Sequence, residues 1–364
     1  MFKHYLISAL RFLRKNKIFA LINIAGLSIA LAVSFIIFLF VINELSFNSS
    51  HKNREQVYRV LNEFVDFSKT HGETPFCMAK TLKDELPQVE KASNTFRIKG
   101  LKLKYKEENI DVQNALTTDS EFFDIFSFKM INRISGRALL DDKNSIVLSH
   151  RLAAKVFPGQ NPVGKEITVL INKKENLLTV TGVFEDLPEN SSIQAECFIN
   201  SQWSIDKLNL MMGIDNIDVS WNENSYTTWI MLSKDCDISS VENQFRDIEK
   251  SRLGGAVKHH YSLQNLSDIY LNSENIDNNG FPLGNKGNIR LFSVIAFLII
   301  IVAVVNYVIL STAVSTGRTK EIGIRKAAGA GTKELKTQLL TESVVLSLLA
   351  LPIALILMQF VMPV

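Results

Sequence analysis

Three long stretches of the sequence lack charged side chains, although 21% of its 364 residues are charged. They are Ile18–Ile42, Leu291–Leu310 and Ser343–Val364. Roughly 20 apolar residues in a helix cross the hydrocarbon core of a bilayer, so each stretch is long enough to span a membrane. The uneven placement of charge excludes an ordinary soluble domain, and we expect α-helical membrane spans.

The first stretch has a second interpretation, which is a cleaved signal peptide. Basic residues precede it, and Ala30-Leu31-Ala32 imitates a cleavage site. Ten more apolar or small residues follow that triplet, which favours an uncleaved membrane anchor.

Acidic side chains are absent from residues 1–43, where five Lys or Arg give a charge of +5. Residues 311–342 carry six basic and three acidic side chains, so the segment 44–290 holds the remaining 29 basic and 34 acidic ones. Short flanks rich in Lys and Arg stay in the cytoplasm. We therefore expect a cytoplasmic N-terminus and an extracytoplasmic segment 44–290. The basic clusters lack interleaved aromatic residues and any reading motif, which argues against nucleic-acid binding.

Cysteine is scarce, and Cys77, Cys197 and Cys236 all fall in the extracytoplasmic segment. An odd count at irregular spacing is no disulfide framework, and either three buried thiols or one disulfide with a free thiol fits it. The adjacent His259 and His260 have no neighbours at ligand spacing, so no metal site is expected.

Catalytic motifs are also missing. The sequence has no G-x-S-x-G and no H-E-x-x-H. Gly329–Lys333 lacks the complete phosphate-loop pattern and a preceding strand. We expect no enzyme and no cofactor in this chain.

Strand and helix patterns alternate between the first two spans. The predicted strands are Gln56–Phe64, Leu178–Phe184 and Tyr226–Leu232. Apolar residues spaced by four predict a helix from Met78 to Leu86. The fold class is therefore a membrane protein with three α-helical spans and a large mixed α/β extracytoplasmic domain inserted between spans 1 and 2.

Two local signals refine this domain. Ser239 and Glu242 form a capping box, which predicts the start of a further helix there. Residues 273–288 are rich in Gly and Asn, so they are predicted to be a loop that links the domain to the second span.

The most specific stretch is Arg318–Gly331, RTKEIGIRKAAGAG. It resembles the cytoplasmic loop of the MacB/FtsX-like ABC transporter permeases, whose E-I-G-I-R-K-A-x-G-A signature is complete here from Glu321 to Ala330. Residues 21–32 resemble the family's first span, and residues 145–169 and 180–192 resemble its periplasmic core domain. The chain is identified as a first, N-terminal module: a MacB-like periplasmic core domain plus part of the FtsX-like domain.

The resemblance and the charge pattern together divide the chain into six segments. These are an interfacial amphipathic helix at 1–17, span 1 at 18–42, the core domain at 44–290, span 2 at 291–314, a cytoplasmic coupling loop and helix at 315–342, and span 3 at 343–364. An ordinary basic juxtamembrane tail is the alternative for 1–17. Family modules have a fourth span, so this chain is expected to be an incomplete module.

The resemblance implies that the loop contacts an ATP-hydrolysing subunit. The implied coupling residues are Glu321, Ile322, Gly323, Ile324, Arg325, Lys326, Ala327, Gly329 and Ala330. A plain positive-inside loop is the alternative. Within the membrane, Gly26 and Ala30 form a small-xxx-small face, and Asn306, which matches a family asparagine, could hydrogen-bond across helices. The spans lack charge, which argues against a secondary transporter.

The implied function is a non-enzymatic permease subunit that couples ATP hydrolysis to movement of the extracytoplasmic domain. ATP would be bound by a separate cytoplasmic ABC ATPase, and the outputs would be efflux of antimicrobial compounds or peptides, or lipoprotein handling. Further implied partners are a second permease module or dimer mate, a periplasmic partner and the lipid bilayer of the bacterial cytoplasmic (inner) membrane. The main alternative is a membrane-bound sensor or regulator with an external ligand-binding domain, including control of cell-wall hydrolases. A membrane-anchored external enzyme is a third hypothesis.

Overall fold

The computed structural model of the chain describes residues 2–64, 69–105, 108–171, 174–213, 215–254, 259–316, 323–324, 326–327 and 331–361. It divides into two compact units. The first, here the membrane unit, is Met1–Leu45 with Asn285–Val364, and the second, here the external unit, is Ser46–Gly284.

Helices occur in both units. In chain order they are α1 (Phe2–Lys15), α2 (Lys17–Leu45), α3 (Cys77–Glu85), α4 (Glu121–Ile125), α5 (His150–Val156), α6 (Gln202–Met212), α7 (Ile238–Leu253), α8 (Ile269–Asn272), α9 (Lys286–Thr316) and α10 (Thr332–Val361), with a 3₁₀ turn at Leu266–Asp268. By length and composition α2, α9 and α10 can cross a membrane. Helices α2 and α9 extend beyond their predicted spans, and the six-segment division stays a prediction.

The strands belong to the external unit. They are β1 (Val57–Phe64), β2 (Lys69–His71), β3 (Thr74–Pro75), β4 (Val89–Ile98), β5 (Leu101–Tyr105), β6 (Glu108–Val112), β7 (Ala115–Thr118), β8 (Met130–Arg133), β9 (Ser145–Ser149), β10 (Glu166–Ile171), β11 (Lys174–Phe184), β12 (Cys197–Asn200), β13 (Asn224–Leu232), β14 (His259–Asn265) and β15 (Ile276–Asp277). They form one sheet in the order β15-β2-β1-β13-β4-β7-β12-β9-β11-β10-β5-β6. Strand β14 also pairs with β1, β3 with β13, and β8 with β11.

Strand β4 joins two halves of this sheet because its partner changes along its length. Residues 89–95 pair antiparallel with β13, and residues 96–98 pair antiparallel with β7. We call the strands from β15 to β4 the first half and those from β4 to β6 the second half. The second half contains two parallel pairs, β7 with β12 and β9 with β11.

Each half has its own apolar core. In the first half, Met78 and Phe245 from α3 and α7 pack with Ile230 of β13. In the second half, Phe157 packs with Leu148 of β9.

A third cluster is aromatic and includes residues of both halves. Phe122 of α4 and Phe126, which directly follows α4, pack with Phe198 and with Trp229 of β13. Trp229 is fully buried, and its Nε1 donates a hydrogen bond to Thr95 Oγ1 at 3.0 Å. Aromatic side chains contribute large buried areas, so this cluster stabilises the connection between the halves.

Helix α7 covers the edge of β14. The backbone N–H of Tyr261 donates to Glu249 Oε1 at 2.7 Å, and that of Leu263 donates to Glu242 Oε1 at 2.8 Å. The two carboxylates therefore occupy the place of a neighbouring strand at this edge.

The predicted capping box is wrong for this reason, since Glu242 binds β14 instead of reaching back to its own helix start. Asp237 is the N-cap of α7, and its Oδ1 accepts a hydrogen bond from the backbone N–H of Ser239 at 3.1 Å.

The other predicted elements fare better. The three predicted strands are confirmed as β1, β11 and β13, and the predicted helix is confirmed as α3, which ends before Pro87. The loop predicted at 273–288 is wrong in part, because its residues Ile276–Asp277 pair in parallel with β2 and α9 begins at Lys286. The three cysteines are free thiols, of which Cys197 is buried and the other two are half-buried.

Asp119 is a half-buried carboxyl group in front of α4. Burial raises its pKa to about 6, against the effect of hydrogen bonds from Ser93 Oγ at 2.9 Å and from the backbone N–H of Glu121 at 3.0 Å. A raised pKa means that the folded state binds the proton more tightly than the unfolded state does. This contribution to stability is present below the ordinary pKa of 3.8 and is lost as the pH rises to about 6.

We expect Asp119→Asn to raise the unfolding temperature of the external unit at about pH 7.5 and to give a smaller gain near pH 4.5. The amide stays neutral and keeps an acceptor oxygen, so the gain in unfolding free energy should be about 1 kcal/mol at the higher pH. Tryptophan fluorescence of the full chain measures this, since all three tryptophans (Trp203, Trp221 and Trp229) lie in the external unit. Asp111→Asn, at an exposed ion pair with Lys102, is the control. An equal gain at both pH values would contradict the prediction.

Candidate functional site

The predicted coupling residues follow α9 in the chain. Gly323, Ile324, Lys326 and Ala327 are helical and exposed, and the exposed fraction of Ile324 is 63%. Among the described residues, no heavy atom comes within 4 Å of the position that a Cβ on Gly323 would take. Glu321, Ile322, Arg325, Gly329 and Ala330 lie outside the described residues. The described part of the signature thus presents an exposed apolar side chain beside an unobstructed glycine.

Helix α1 packs against the helix that follows the coupling residues. Ala9, Phe12 and Leu13 are buried in a cluster with Val345 and Leu346 of α10. Their neighbours Leu6 and Leu10 are 37% and 44% exposed. Helix α1 therefore has one apolar face packed on α10 and a second apolar face that is exposed. The sequence indicated that these residues are apolar, but not that one face packs on α10.

A polar contact accompanies this packing. Gln338 Nε2 of α10 donates to Ser8 Oγ of α1 at 3.4 Å and to Glu342 Oε1 at 3.3 Å. Glu342 is only 5% exposed. Glu342 is the last charged residue before span 3, and its contact with Gln338 of α10 was not predicted from the sequence.

The predicted packing residues of the membrane unit lie together between α2 and α9. A Cβ on Gly26 would be 3.9 Å from Asn306 Nδ2, and Ala30 is 8% exposed. A groove of about 520 Å³ runs along this contact, lined by these three residues with Asn23, Leu27, Ile29, Val33, Ile295, Leu298, Ile299, Val302, Ala303 and Tyr307. The structure therefore brings Gly26, Ala30 and Asn306 to one interface.

Helices α2 and α10 meet through Ser28, which we did not select from the sequence. Ser28 is fully buried, and its Oγ lies 3.1 Å from the carbonyl oxygen of Ala350. Ala350 and Ala354 are also fully buried, and their spacing of four is a small-xxx-small signal that could have identified this contact. Tyr307 Oη and Ser343 Oγ, 2.6 Å apart, link α9 to α10.

Both chain ends of the external unit are packed on α8. The ring of Phe47 stacks on that of Tyr270 with centroids 3.5 Å apart and an interplanar angle of 4°. The backbone N–H of Gly284 donates to the carbonyl oxygen of Tyr270 at 2.8 Å, and a Cβ on Gly284 would be 2.3 Å from the same ring. Since Phe47 follows α2 and Gly284 precedes α9, one tyrosine holds both connections to the membrane helices.

The external unit also contains a polar cavity of about 510 Å³. It is lined by Lys52, Asn53, Glu55, Gln56, Tyr58, Leu232, Ser233, Lys234, Asp235, Cys236 and Ile238. Charged side chains of both signs line it, so the cavity does not select a ligand of one charge.

The two adjacent histidines contact different elements. His259 Nδ1 is 3.1 Å from Asn62 Oδ1 on β1, and His260 Nδ1 is 3.3 Å from Glu249 Oε2 on α7. Within the described residues, no three His, Cys, Asp or Glu side chains are grouped so that they could hold a metal ion.

Family models match both units of this architecture. The model of the MacB-like periplasmic core domain matches residues 20–248, and that of the FtsX-like permease C-terminal matches residues 293–364. A bundle of apolar helices interrupted by such a domain is the architecture of an ABC transporter permease. The chain belongs to the MacB/FtsX-like ABC transporter permease family, as the loop signature predicted, and the predicted fold class is confirmed.

Individual relatives agree with this membership. The macrolide export ATP-binding/permease protein MacB of Aggregatibacter actinomycetemcomitans is 28% identical over 242 residues, which are 65% of this chain and 33% of that protein. The chain thus spans about a third of the length of this curated relative.

Two solved structures each cover 59% of the chain. A domain of a permease protein from Porphyromonas gingivalis is 22% identical, with a TM-score of 0.50 over 59% of this chain and 92% of that one. For the periplasmic region of MacB from Actinobacillus actinomycetemcomitans the identity is 19% and the TM-score 0.42, over 59% and 90% of the two chains. The first likeness shows a shared fold.

We expect Ser28→Leu to destabilise the membrane unit, because the added carbons have no space between α2 and α10. Such overpacking costs about 1–3 kcal/mol. The measurement is the fraction of monodisperse full-length protein that survives heating in detergent, followed by size-exclusion chromatography. Ile29→Leu is the matched control, since Ile29 is 57% exposed on the same helix. Equal heat resistance of both variants would show that Ser28 is not tightly packed.

Proposed function

We propose that this permease couples ATP hydrolysis by a separate cytoplasmic ABC ATPase to movement of its external unit. The observation that carries the proposal is the exposed helical part of the loop signature. Ile324 offers 63% of its surface, and Gly323 leaves room for the backbone of another protein. An exposed apolar side chain of this kind gains free energy when a partner buries it.

Movement at the signature would reach the other helices of the membrane unit directly. Helix α10 begins at Thr332, and it is fixed to α1 through the cluster around Phe12 and to α2 through Ser28. Helices α2 and α9 continue into the two ends of the external unit. Packed interiors are stiff, so a displacement of α10 would shift its neighbours as well.

The output that we propose is work on a substrate outside the membrane. No charged residue is among those that line the groove between α2 and α9, and an ion or proton route normally requires such residues. The name of the 28% identical relative, a macrolide export protein, supports efflux of antimicrobial compounds or peptides. Lipoprotein handling is the second output that we propose, because it also requires an external unit that moves. A second permease module or dimer mate, and a periplasmic partner, complete the proposed assembly.

The coupling role is tested by Gly323→Trp and Arg325→Glu in the full chain. We expect both to weaken co-purification with the ABC ATPase and to lower stimulated ATP hydrolysis at least about fivefold, because one blocks close approach and the other reverses a charge. Leu210→Trp places the same bulky ring on the external unit, where Leu210 is 75% exposed, and serves as control. Unchanged partner binding and unchanged stimulated hydrolysis in both loop variants would refute the assignment.

The proposed topology places the external unit in the periplasm of a bacterial inner-membrane protein and the signature in the cytoplasm. We expect a membrane-impermeant maleimide to label Leu210→Cys in spheroplasts, and to label Ile324→Cys only after the membrane is permeabilised. Both positions are exposed, at 75% and 63%. The unmodified chain measures the background from Cys77 and Cys236. Labelling of Ile324→Cys in intact spheroplasts would contradict this orientation.

A further inference from the structure

The segment that leads out of the external unit contacts several other elements of that unit. We call residues 273–284 the exit segment, since it connects α8 to α9. Its residues Ile276 and Asp277 pair with Thr70 and His71 of β2. At its end, Gly284 is pressed against Tyr270 with no room for a side chain. The exit segment is thus attached to the sheet at one point and to α8 at another.

A buried arginine binds the middle of the exit segment. Arg59 of β1 is fully buried, and its Nε donates to Gln264 Oε1 at 2.7 Å. Its Nη2 donates to Ser273 Oγ at 2.8 Å, and its Nη1 donates to the carbonyl oxygen of Asn279 at 3.3 Å. The guanidinium carbon also lies 5.6 Å from the ring centre of Phe281. Three residues of the exit segment therefore contact one side chain.

Arg59 is costly to bury. Within the described residues no carboxylate lies at ion-pair distance from it, and burial lowers its pKa to about 9. Removing a charge from water without a counter-charge is unfavourable, and an apolar side chain of similar volume is often at least as stabilising at such a site. An apolar side chain cannot donate hydrogen bonds to Ser273 and Asn279. The role of the arginine is therefore to attach the exit segment to β1.

A second arginine binds the next carbonyl group along the segment. Arg97 of β4 donates from Nη2 to the carbonyl oxygen of Gly280 at 2.7 Å and from Nη1 to Asn114 Oδ1 at 2.8 Å. It lies in the part of β4 that pairs with β7. Adjacent carbonyl groups are therefore bound from the first half of the sheet by Arg59 and from the start of the second half by Arg97.

We propose that Arg59 and Arg97 are positioning residues that pass movement of α9, through the exit segment, to both halves of the external sheet. This inference rests on the proposed function, because it requires that the membrane helices move with ATP hydrolysis. It adds the point at which that movement enters the external unit. Gly72 leaves space for the contact of Arg59 with the exit segment, since a Cβ there would be 3.0 Å from Arg59 Nη1 and 3.1 Å from the carbonyl oxygen of Asn278.

The test uses the full chain in lipid nanodiscs with the ABC ATPase that co-purifies with it. Hydrogen–deuterium exchange is compared for β4 and β7 with ATP and vanadate and without nucleotide. In Arg59→Met and Arg97→Met, we expect the nucleotide-dependent difference in deuterium uptake of β4 and β7 to fall at least about fivefold. ATPase binding and ATP hydrolysis should stay within about twofold of those of the unmodified complex. Arg252→Met is the matched control, because Arg252 pairs with Glu85 on the surface and does not touch the exit segment.

The outcomes separate the two levels of the proposal. If no ABC ATPase co-purifies with the chain, or the chain does not stimulate its ATP hydrolysis, the proposed function fails; if the complex is active but shows no nucleotide-dependent difference in β4 and β7, the inference alone fails. If it shows the difference and both arginine variants retain it in full, the inference is overturned while the proposed function stands. Tryptophan fluorescence checks folding, and Arg97→Met decides the matter if Arg59→Met does not fold, since Arg97 is only partly buried.

Discussion

The external unit is inserted between two membrane helices, so its first and last residues must be held where the chain leaves and re-enters the membrane unit. Domains tolerate such insertion when their chain ends lie close together. Here Tyr270 meets this requirement, with Phe47 stacked on its ring and Gly284 against it. Asn48 reinforces the first connection, because its side chain donates to the carbonyl oxygen of Leu266 at 2.9 Å, just before α8. The short helix α8 and the turn before it thereby contact both the first and the last residues of the external unit.

The sheet connects these contacts to the rest of the external unit, because all its strands belong to one sheet. Strand β4 is paired with β13 in one part and with β7 in the next, so no hinge of irregular chain separates the halves. The buried aromatic cluster around Phe126 and Trp229 lies at this junction, with ring centres 5.0 Å apart. Closely packed interiors have low compressibility and transmit strain, so a displacement applied at one edge of such a sheet is not absorbed locally.

The features that were predictable from the sequence are those that depend on one segment at a time. Uncharged stretches predicted the long helices, because burying charge in hydrocarbon is costly wherever it occurs. Contacts between distant segments were missed, as with Glu242, whose partner Leu263 lies on another element. Arg59 was not predicted either. In VYRVLNEF it shares a strand face with Val57 and Leu61, but Val60 and Asn62 on the opposite face are buried as well, so strand alternation alone does not identify it. Its role depends on contacts with the exit segment, which is more than 200 residues away in the chain.

The membrane helices differ in how many of their residues are buried within the described part of the chain. Helix α2 buries Ser28, Ala30 and Ala32, and α10 buries Ala350 and Ala354. Across residues 291–314 of α9, by contrast, no residue is buried within the described membrane unit. Yet α9 is the one that continues backwards into the exit segment, where two arginines and a strand pairing hold the chain. Helix α9 is thus joined to a connection that Arg59, Arg97 and the pairing with β2 attach to both halves of the sheet, so movement of α9 would reach both halves.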